Sequence, residues 1–413
     1  MPALTRDQEA AVARRRGSLL LSAGAGSGKT SVLVERFVRA VREDGIAPSR
    51  ILAITFTDRA AAELRERVRT RLRDLGDREL ARDSERAPIG TVHSFCARIL
   101  RAHAVAVGLD PGFEVLDEAR TADLRSRSFA TGLRAFLSSS GEAGVDLLAA
   151  YGAERLENSI IAVHETLRSR GERSPRLPLP PVTDAADPGL AVLGRRVVEA
   201  AALARREITL DAGTLSAAAE RALGALARAE ELVAAADGGP TPLPGACAAL
   251  TLPGGSALLA GAACGAYREA VEAYTRACAN EYAVTALGLL GALLQRYGSA
   301  YAAAKHQRGA LDFDDLEIEA SRLLEHDAAV RRAWSERFEL VMIDEFQDTN
   351  PRQLAILQAL ERDNLFTVGD EFQSIYGFRH AAVELFRDRR ATLAARDATL
   401  VLAHNFRGRP EIL

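Results

Sequence analysis

Short apolar runs, each followed by a polar or amphipathic segment, recur near both ends of this 413-residue chain. Buried parallel strands have this character, because helices cover both faces of the sheet that they form. The runs lie at 19–21, 51–57, 89–92, 338–343, 365–368 and 399–402. The pattern predicts an α/β fold in which a parallel sheet has helices on both faces.

The middle of the chain has a different composition. Alanine, leucine and arginine dominate there with helical periodicity, and proline-rich (174–188) and glycine- and proline-containing (238–245) stretches interrupt it. This pattern predicts a mainly helical insertion with exposed loops, and residues 282–305 look like a long helix returning to the first domain. The predicted segments are an α/β part at 1–104, the helical subdomain at 105–299 and a second α/β part at 300–397.

The bulk composition excludes several classes of protein. Hydrophobic residues at 48% and charged residues at 26% are typical of a soluble globular protein, and a net charge of −3 gives no global basic field. Any nucleic-acid binding must therefore use a local surface. Four cysteines without C-x-x-C spacing suit a reduced cytosol. With no signal-peptide core and no uninterrupted apolar run of membrane-spanning length, we expect a cytoplasmic protein without a membrane partner.

The first apolar run leads into a glycine-rich turn and then into an amphipathic helix. Such a turn lets backbone N–H groups point at phosphate oxygens, and the helix N-terminus adds positive dipole character. Lys29 would reach the β- and γ-phosphates of a nucleotide, and the Thr30 hydroxyl would ligate Mg²⁺. The residues predicted to form this phosphate-binding loop are Ala23, Gly24, Ala25, Gly26, Ser27, Gly28, Lys29 and Thr30.

One position departs from the usual phosphate-loop pattern, because Ala23 stands where its first glycine should be. The alternative is a glycine-rich turn that only caps a helix. Composition argues against this alternative: of the 53 basic residues, Lys29 and Lys305 alone are lysine. A compact ammonium fits between phosphates where a planar guanidinium would not.

Polar residues follow three of the later strands. Hydrolysis of a nucleotide needs a metal and a base, and Asp344 would hold Mg²⁺ while Glu345 polarises the attacking water. Gln373 would sense the γ-phosphate, and Arg407 would stabilise the transition state. The alternative for the two acids is a surface pair capping a strand, which the four apolar residues before them and the phosphate loop disfavour.

A second group of residues suggests contacts with a nucleic acid. Thr91, His93 and Ser94 follow the third strand, and small donors there suit backbone phosphates. The aromatic residues Phe56, Tyr376 and Phe378 lie in polar loop contexts, where rings can stack on the bases of a single strand. For each ring the alternative is packing in the core. The arginine-rich helix at 60–75 is a solvated face when taken alone.

Together these segments resemble the N-terminal half of a superfamily 1 DNA helicase of the UvrD/Rep/PcrA type. Leu4, Thr5 and Gln8 resemble its adenine-reading Q motif, and alanine is common in the family at the position of Ala23. The chain differs at Asp58 and Arg59, where Asn-Lys is usual, and at Phe378, where tryptophan is frequent. The other matching segments are 23–30 (motif I), 54–61 (motif Ia), 90–95 (a DNA-contact motif), 311–316, 343–350 (motif II), 368–379 (motif III) and 405–407 (motif IV).

The resemblance implies a RecA-like P-loop NTPase that uses ATP and Mg²⁺ to move 3′ to 5′ along single-stranded DNA. Gln8 would read adenine, Phe406 would stack on it, and Arg407 would reach the γ-phosphate. The residues of the motifs favour the AddA/RecB-like branch over UvrD-like repair helicases. The resemblance to that branch implies processing of DNA ends together with a second nuclease or helicase subunit. The residues implied to contact DNA are Phe56, Thr57, Thr91, His93, Ser94, Tyr376, Phe378 and Arg379.

In that family a second RecA-like domain follows motif IV, and here residues 398–413 would be its truncated start. Because closure of two domains over ATP drives movement, we expect the chain alone to bind Mg-ATP but to be a poor ATPase and no helicase. A function of another class stays open, namely a nucleotide-gated binding module without helicase activity. Stimulation of hydrolysis by single-stranded DNA would distinguish the two.

Overall fold

The protein is represented by a computed structural model, which describes residues 4–178, 189–210, 216–242, 244–254, 259–373 and 383–406. The chain divides into two compact units. Unit 1 comprises Met1–Ser128, Ala162–Ser174 and Ala300–Leu413, and unit 2 comprises Phe129–Ile161 and Pro175–Ser299.

The strands form one large sheet and one small one. They are β1 (Leu19–Ala23), β2 (Ile51–Thr55), β3 (Ile89–Thr91), β4 (Glu114–Val115), β5 (Ala310–Leu311), β6 (Leu340–Ile343), β7 (Leu365–Gly369) and β8 (Thr399–Leu402). The large sheet has the order β3-β2-β6-β7-β1-β8, and every neighbouring pair in it is parallel. The predicted parallel α/β fold is therefore confirmed.

The described helices occupy most of the remaining chain. They are α1 (Arg6–Ala13), α2 (Lys29–Arg42), α3 (Asp58–Asp74), α4 (Arg78–Asp83), α5 (Val92–Ala102), α6 (Glu118–Tyr151), α7 (Ala153–Ser169), α8 (Leu190–Leu210), α9 (Ala217–Ala236), α10 (Pro244–Cys247), α11 (Ala262–Gln307), α12 (Phe313–His326), α13 (Ala328–Arg337), α14 (Pro351–Leu360) and α15 (Val383–Ala394).

The strands are apolar on both faces because the sheet divides two cores. In β1, Leu19 and Leu21 pack with α1–α4 on one side, whereas Leu20 faces the core of α5 and α12–α15 on the other. In β6, Met342 and Val341 alternate in the same way. Successive side chains of a strand point to opposite faces, so burial of both faces produces the near-continuous apolar runs seen in the sequence.

Unit 2 is helical, as predicted for the middle of the chain. Its core has small residues on the packed faces of α8 and α9, such as Ala201 and Ala204 of α8 and Ala222 and Ala225 of α9. Apolar residues at spacings of three and four give each helix one buried stripe. The Glu207 carboxylate accepts a hydrogen bond of 2.8 Å from the Ala263 backbone N–H at the start of α11.

The unit boundaries differ from the predicted segments in two respects. Residues 105–128 and 162–174 belong to unit 1, although composition placed them in the insertion. In addition, β8 pairs in parallel with β1, with Leu20 opposite Thr399, so residues 399–402 extend the first sheet. A β-branched run beside an unpaired strand edge completes that edge with backbone hydrogen bonds.

The helix α11 is long and apolar, and most of its apolar stretch is not buried in the structure. By length and composition alone it could cross a membrane, and no other described helix is both as long and as apolar. A single helix of this kind is weak evidence for a membrane span. The absence of a membrane partner therefore stays a prediction.

The second lysine of the chain lies in a buried charge cluster of unit 1. The Lys305 ammonium donates to the Asp312 carboxylate at 2.8 Å and also contacts Asp315, whose other oxygen accepts from Arg168. Asp312 is the N-cap of α12 and forms a capping box with Asp315. Lys305 thus fixes the start of α12, so its retention in an arginine-rich chain has a structural reason.

We predict that His164, which lies 5% exposed in unit 1 and is edge-on to Tyr301, makes folding sensitive to mild acid. Burial, together with the charges of Arg168 and Lys305, lowers the pKa of His164 to about 3. Its stabilising contribution is complete above the unfolded-state pKa and is lost as the pH falls toward the folded-state pKa. Since the unfolded imidazole takes up a proton near pH 6.5, the free energy of unfolding should drop by about 1 kcal/mol between pH 7 and pH 5.5 on this account.

The His164→Phe variant keeps a ring and cannot take up this proton, so its urea midpoint should fall less over the same pH range. Replacing the exposed His306 with glutamine is the matched control and should leave the wild-type pH dependence unchanged. Parallel pH profiles for wild type and His164→Phe would contradict the prediction.

Candidate nucleotide site at the carboxyl edge of the sheet

The predicted phosphate loop lies between β1 and α2. Two of its glycines, Gly26 (φ 74°) and Gly28 (φ 87°), have left-handed backbone conformations, and Gly28 is the N-cap of α2. The loop is tied internally, because the Ser27 hydroxyl donates to the Gly24 carbonyl at 2.7 Å. A β-strand, a turn of this shape and a helix N-terminus form the arrangement that binds phosphate through backbone N–H groups.

Gln8 holds this loop from the neighbouring helix α1. Its amide nitrogen donates to the Ser27 carbonyl at 2.9 Å, and its amide oxygen accepts from the backbone N–H of Thr5 at 3.0 Å in a capping box. The side chain is 5% exposed. In this conformation Gln8 supports the phosphate loop, and adenine reading by Gln8 stays a prediction.

The acids after β6 lie next to the loop lysine. The Lys29 ammonium is 2.9 Å from Glu345 Oε2, and Lys29 is 11% exposed. Glu345 has a left-handed backbone (φ 52°), which is uncommon for a residue with a side chain. Burial and the neighbouring Glu345 charge raise the pKa of Asp344 to about 6, while Lys29 opposes that rise. A nearby cation would therefore favour the ionised form of Asp344.

Three further residues join these groups into a closed ring of contacts. Gln347 donates to Glu345 Oε2 at 2.8 Å, and its amide oxygen accepts from the Asp370 backbone N–H at 2.9 Å. The Asp370 carboxylate in turn accepts from the Gln373 amide at 2.5 Å, and the Gln373 oxygen lies 3.5 Å from Lys29 Nζ. The ring fixes the ends of β6 and β7 relative to the phosphate loop.

The ring requires a glycine at the end of β7. A Cβ atom on Gly369 would lie 2.5 Å from the Gln347 amide oxygen and 2.9 Å from the ring of Phe386. Contacts this short do not occur for real Cβ atoms, so any side chain there would displace Gln347. The close approach at Gly369 is therefore a condition for the hydrogen bond between Gln347 and Asp370.

A cavity of about 470 Å³ opens over the loop, within the usual range of small-molecule sites. Phe406 lies at its wall with 64% of its surface exposed, and its backbone N–H donates to the Gly26 carbonyl at 2.9 Å. Most predicted nucleotide contacts thus meet in one cavity. Its lining residues are Ala25, Gly26, Gly28, Lys29, Thr30, Ser31, Arg67, Glu345, Gln373 and Phe406.

The donor set fits a magnesium site of the nucleotide-bridging type. Among the residues that the structure describes, no cluster of three or more His, Cys, Asp or Glu side chains is arranged to hold a metal ion. Mg²⁺ bound with a nucleotide commonly takes only one or two protein oxygens, with phosphate and water completing its shell. The Thr30 hydroxyl and the Asp344 carboxylate are oxygen donors of that kind.

Among the described residues, the predicted DNA contacts lie at or just after the ends of β2 and β3, and several also have local structural roles. The Thr57 hydroxyl caps α3 by accepting from the Ala60 N–H at 3.1 Å, and the Thr91 hydroxyl caps α5 by accepting from the Ser94 N–H at 3.3 Å. Phe56 is partly exposed at the end of β2. The predicted DNA contacts Tyr376, Phe378 and Arg379, and the predicted catalytic residue Arg407, lie outside the described residues.

The sequence reasoning missed three contributors to this region. Gln347 lies within motif II and Asp370 within motif III, but the motif comparison assigns neither of them a role. Arg67 belongs to the arginine-rich helix α3, lines the cavity and pairs with Glu63 at 2.5 Å. Its signal was the run of arginines on that helix, but periodicity alone does not say which arginine faces the loop.

We predict that Gly28→Ala destabilises the fold, whereas the matched change Gly24→Ala is tolerated. A Cβ on Gly28 would lie 2.5 Å from the Gln8 amide nitrogen in a left-handed conformation, while one on Gly24 would lie 3.8 Å from Asp370. The left-handed penalty and the lost Gln8 hydrogen bond should lower the free energy of unfolding by about 2–3 kcal/mol. Urea unfolding measures the difference, and equal stability of the two variants would refute it.

Over nearly its whole length the chain is similar to AddA proteins, which are described as subunits of an ATP-dependent helicase/nuclease. The relative from Syntrophomonas wolfei is 30% identical over 470 residues, which cover 99% of this chain and 37% of the relative. The relative from Desulforudis audaxviator is 32% identical over 490 residues, covering 99% of this chain and 39% of the relative. The chain thus spans less than two fifths of the length of these relatives.

The AddA/RecB-like branch predicted from the residues of the motifs is confirmed, because these relatives are AddA proteins. The UvrD/REP helicase N-terminal domain matches residues 4–393, which is most of the chain. It follows that the chain belongs to the UvrD/REP helicase N-terminal domain family.

Proposed function

We propose that this chain is the ATP-binding part of an ATP-dependent DNA helicase that moves 3′ to 5′ on single-stranded DNA in repair or recombination. The observation that carries the proposal is the meeting of Lys29, Glu345 and Gln373 over a phosphate-type loop, with Phe406 on the cavity wall. Family membership supports the helicase class. The 3′-to-5′ polarity comes from the family resemblance.

In the proposed mechanism Lys29 changes partner when ATP binds. In the structure its ammonium pairs with Glu345 at 2.9 Å. The β- and γ-phosphates would compete for this lysine and release the Glu345 carboxylate to polarise water. Gln347 would keep that carboxylate oriented, since it donates to Glu345 Oε2 at 2.8 Å. The metal would be held by Thr30 and Asp344 and would neutralise charge on the phosphates.

The nucleoside end of ATP would lie against Phe406, whose exposed ring is suited to stacking on adenine. We propose Gln8 as the adenine reader, which requires its amide to leave or share its present hydrogen bonds. Arg407 is proposed to reach the γ-phosphate. Arg67, on the cavity wall, is proposed as a further contact to the nucleotide.

Single-stranded DNA is proposed to bind at the ends of β2 and β3, the strands beyond β6 from the phosphate loop. Phosphates would contact Thr57, Thr91, His93 and Ser94, and bases would stack near Phe56. Tyr376, Phe378 and Arg379 are proposed to complete this contact. Because β6 pairs in parallel with β2 on one side and with β7 on the other, both proposed sites lie at the carboxyl ends of strands in the same sheet.

For the whole protein we propose DNA ends as substrate, a partner that is a second nuclease or helicase subunit, and a cytoplasmic location. Unit 1 is proposed as the RecA-like ATP-binding domain and the helical segment as its insertion. Residues after β8 are proposed to lead toward a second RecA-like domain. The description of the relatives as subunits supports the partner proposal.

We predict separable effects for two substitutions in the nucleotide site. Lys29→Ala should abolish binding of a fluorescent ATP analogue, because the phosphates lose their ammonium contact. Glu345→Gln should retain binding within a few-fold and should lower the single-turnover rate of the chain, which we expect to be slow already, by about 10²–10⁴, the usual contribution of a general base. Both variants should keep the affinity of wild type for a single-stranded oligonucleotide, measured by fluorescence anisotropy.

ATP turnover should be measured for this chain and for the full-length relative from Syntrophomonas wolfei, each with and without single-stranded DNA. Hydrolysis by Glu345→Gln equal to wild type would remove Glu345 from the proposed role. ATP-dependent DNA binding without DNA-stimulated hydrolysis in either protein would favour the nucleotide-gated binding module.

A further inference from the structure

The side chain of Glu317 is a buried carboxylate that contacts one residue of the proposed DNA site and the segment that follows Glu345. It is on α12, is 3% exposed and receives polar contacts from two other segments of unit 1. Neither its spacing nor its surroundings in the sequence mark it as functional. A carboxylate this deeply buried is stable only if several donors surround it.

One of these donors comes from the proposed DNA side. His93 Nε2 lies 3.1 Å from Glu317 Oε1, and the face of that imidazole stacks on Phe313, with ring centroids 4.4 Å apart and planes 23° apart. Phe313 is 43% exposed. His93 lies just after β3, so a displacement of the β3 end or of this ring pair would move a donor of the Glu317 carboxylate.

The other donors come from the segment after the proposed catalytic acids, Asp344 and Glu345. Asn350 donates to Glu317 Oε2 at 3.2 Å, and Gln353 donates to Oε1 at 2.6 Å. Asn350 and Gln353 are the two partners of the capping box that starts α14. That start lies five residues along the chain from Glu345, so Glu317 contacts the segment that follows the proposed catalytic base.

The electrostatics fit a carboxylate that is ionised in place. Burial raises the pKa of Glu317, but the hydrogen bond and charge of His93, the charge of Arg352 and the hydrogen bond of Gln353 outweigh burial and lower it. The Arg352 guanidinium lies 3.5 Å from Glu317 Oε2. A glutamine at 317 would keep the shape but would place an amide N–H₂ opposite groups that donate.

From these contacts we infer that Glu317 is a positioning residue through which occupancy of the DNA site and occupancy of the nucleotide site influence each other. The inference rests on the proposed function, because it requires that both ligands bind this chain. Its physical basis is a contiguous hydrogen-bonded path from His93 through Glu317 to Asn350 and Gln353. Coupling between two sites is reciprocal, so it can be measured as the effect of nucleotide on DNA affinity.

The experiment measures the affinity of the chain for fluorescein-labelled oligo-dT with and without Mg-AMP-PNP. In wild type we expect the nucleotide to change the DNA dissociation constant about fivefold or more, the usual lower range of allosteric coupling. We call the DNA dissociation constant without nucleotide divided by that with nucleotide the coupling ratio. In Glu317→Gln this coupling ratio should fall to within about twofold of one. The affinity of this variant for AMP-PNP in the absence of DNA should stay within about twofold of wild type.

The matched control is Glu319→Gln, on the same helix and paired with Arg173 at 3.1 Å rather than with the partners of Glu317. It should keep the wild-type ratio. Should Glu317→Gln fail to fold by circular dichroism, His93→Phe takes its place, since it keeps a ring against Phe313 and removes the donor to Glu317. That variant should lose the ratio in the same way.

The inference is overturned if the nucleotide changes the DNA dissociation constant of Glu317→Gln as much as that of wild type. If His93→Phe takes the place of Glu317→Gln, the same result in His93→Phe overturns it. A wild-type chain that binds both ligands without any mutual effect also overturns it and leaves the proposed function standing. A wild-type chain that binds neither AMP-PNP nor oligo-dT refutes the proposed function, and with it the inference.

Discussion

The central strand β6 is hydrogen-bonded on both sides, and the site depends on that constraint. Ile343 lies opposite Ile54 of β2 and opposite Thr367 of β7 in parallel register, and the Asp344 backbone N–H extends the ladder to the Ile54 carbonyl at 2.9 Å. Parallel strands end at the same edge, so residues distant in sequence arrive beside one another. A shift of β6 by one residue would exchange its two faces and remove both acids from the loop lysine.

Most of the fold follows from the sequence because burial on both faces leaves a strong local signal. The apolar runs predicted all six strands of the large sheet, and the glycine-rich turn predicted the start of α2 at Lys29. Unit boundaries were harder, since residues 162–174 have the same helical composition as the insertion. Their membership in unit 1 depends on contacts such as that of Arg168 with Asp315, which no local pattern records.

The site was predictable where chemistry demands adjacent residues and unpredictable where it depends on the fold. The loop, Asp344 and Glu345 follow from short motifs. Gln347 acquires its role only because Gly369, a residue of the next strand, leaves space for its amide. Lys305 is retained in this arginine-rich chain beside a buried pair of carboxylates, so a rare lysine indicates a tight anionic site rather than a nucleotide as such.

The backbone of Glu345 shows how these constraints combine. A left-handed conformation at a residue with a side chain costs about 1–2 kcal/mol, and a glycine there would avoid that cost. In this conformation, however, the carboxylate meets the Lys29 ammonium and the Gln347 amide at 2.9 and 2.8 Å. Each contact fixes one direction of approach, so the carboxylate is already oriented before any ligand arrives. Backbone strain that persists only because neighbouring residues stabilise it is often found at functional positions. At Glu345 those neighbours are Lys29 of the phosphate loop and Gln347, which precedes the segment that Glu317 contacts.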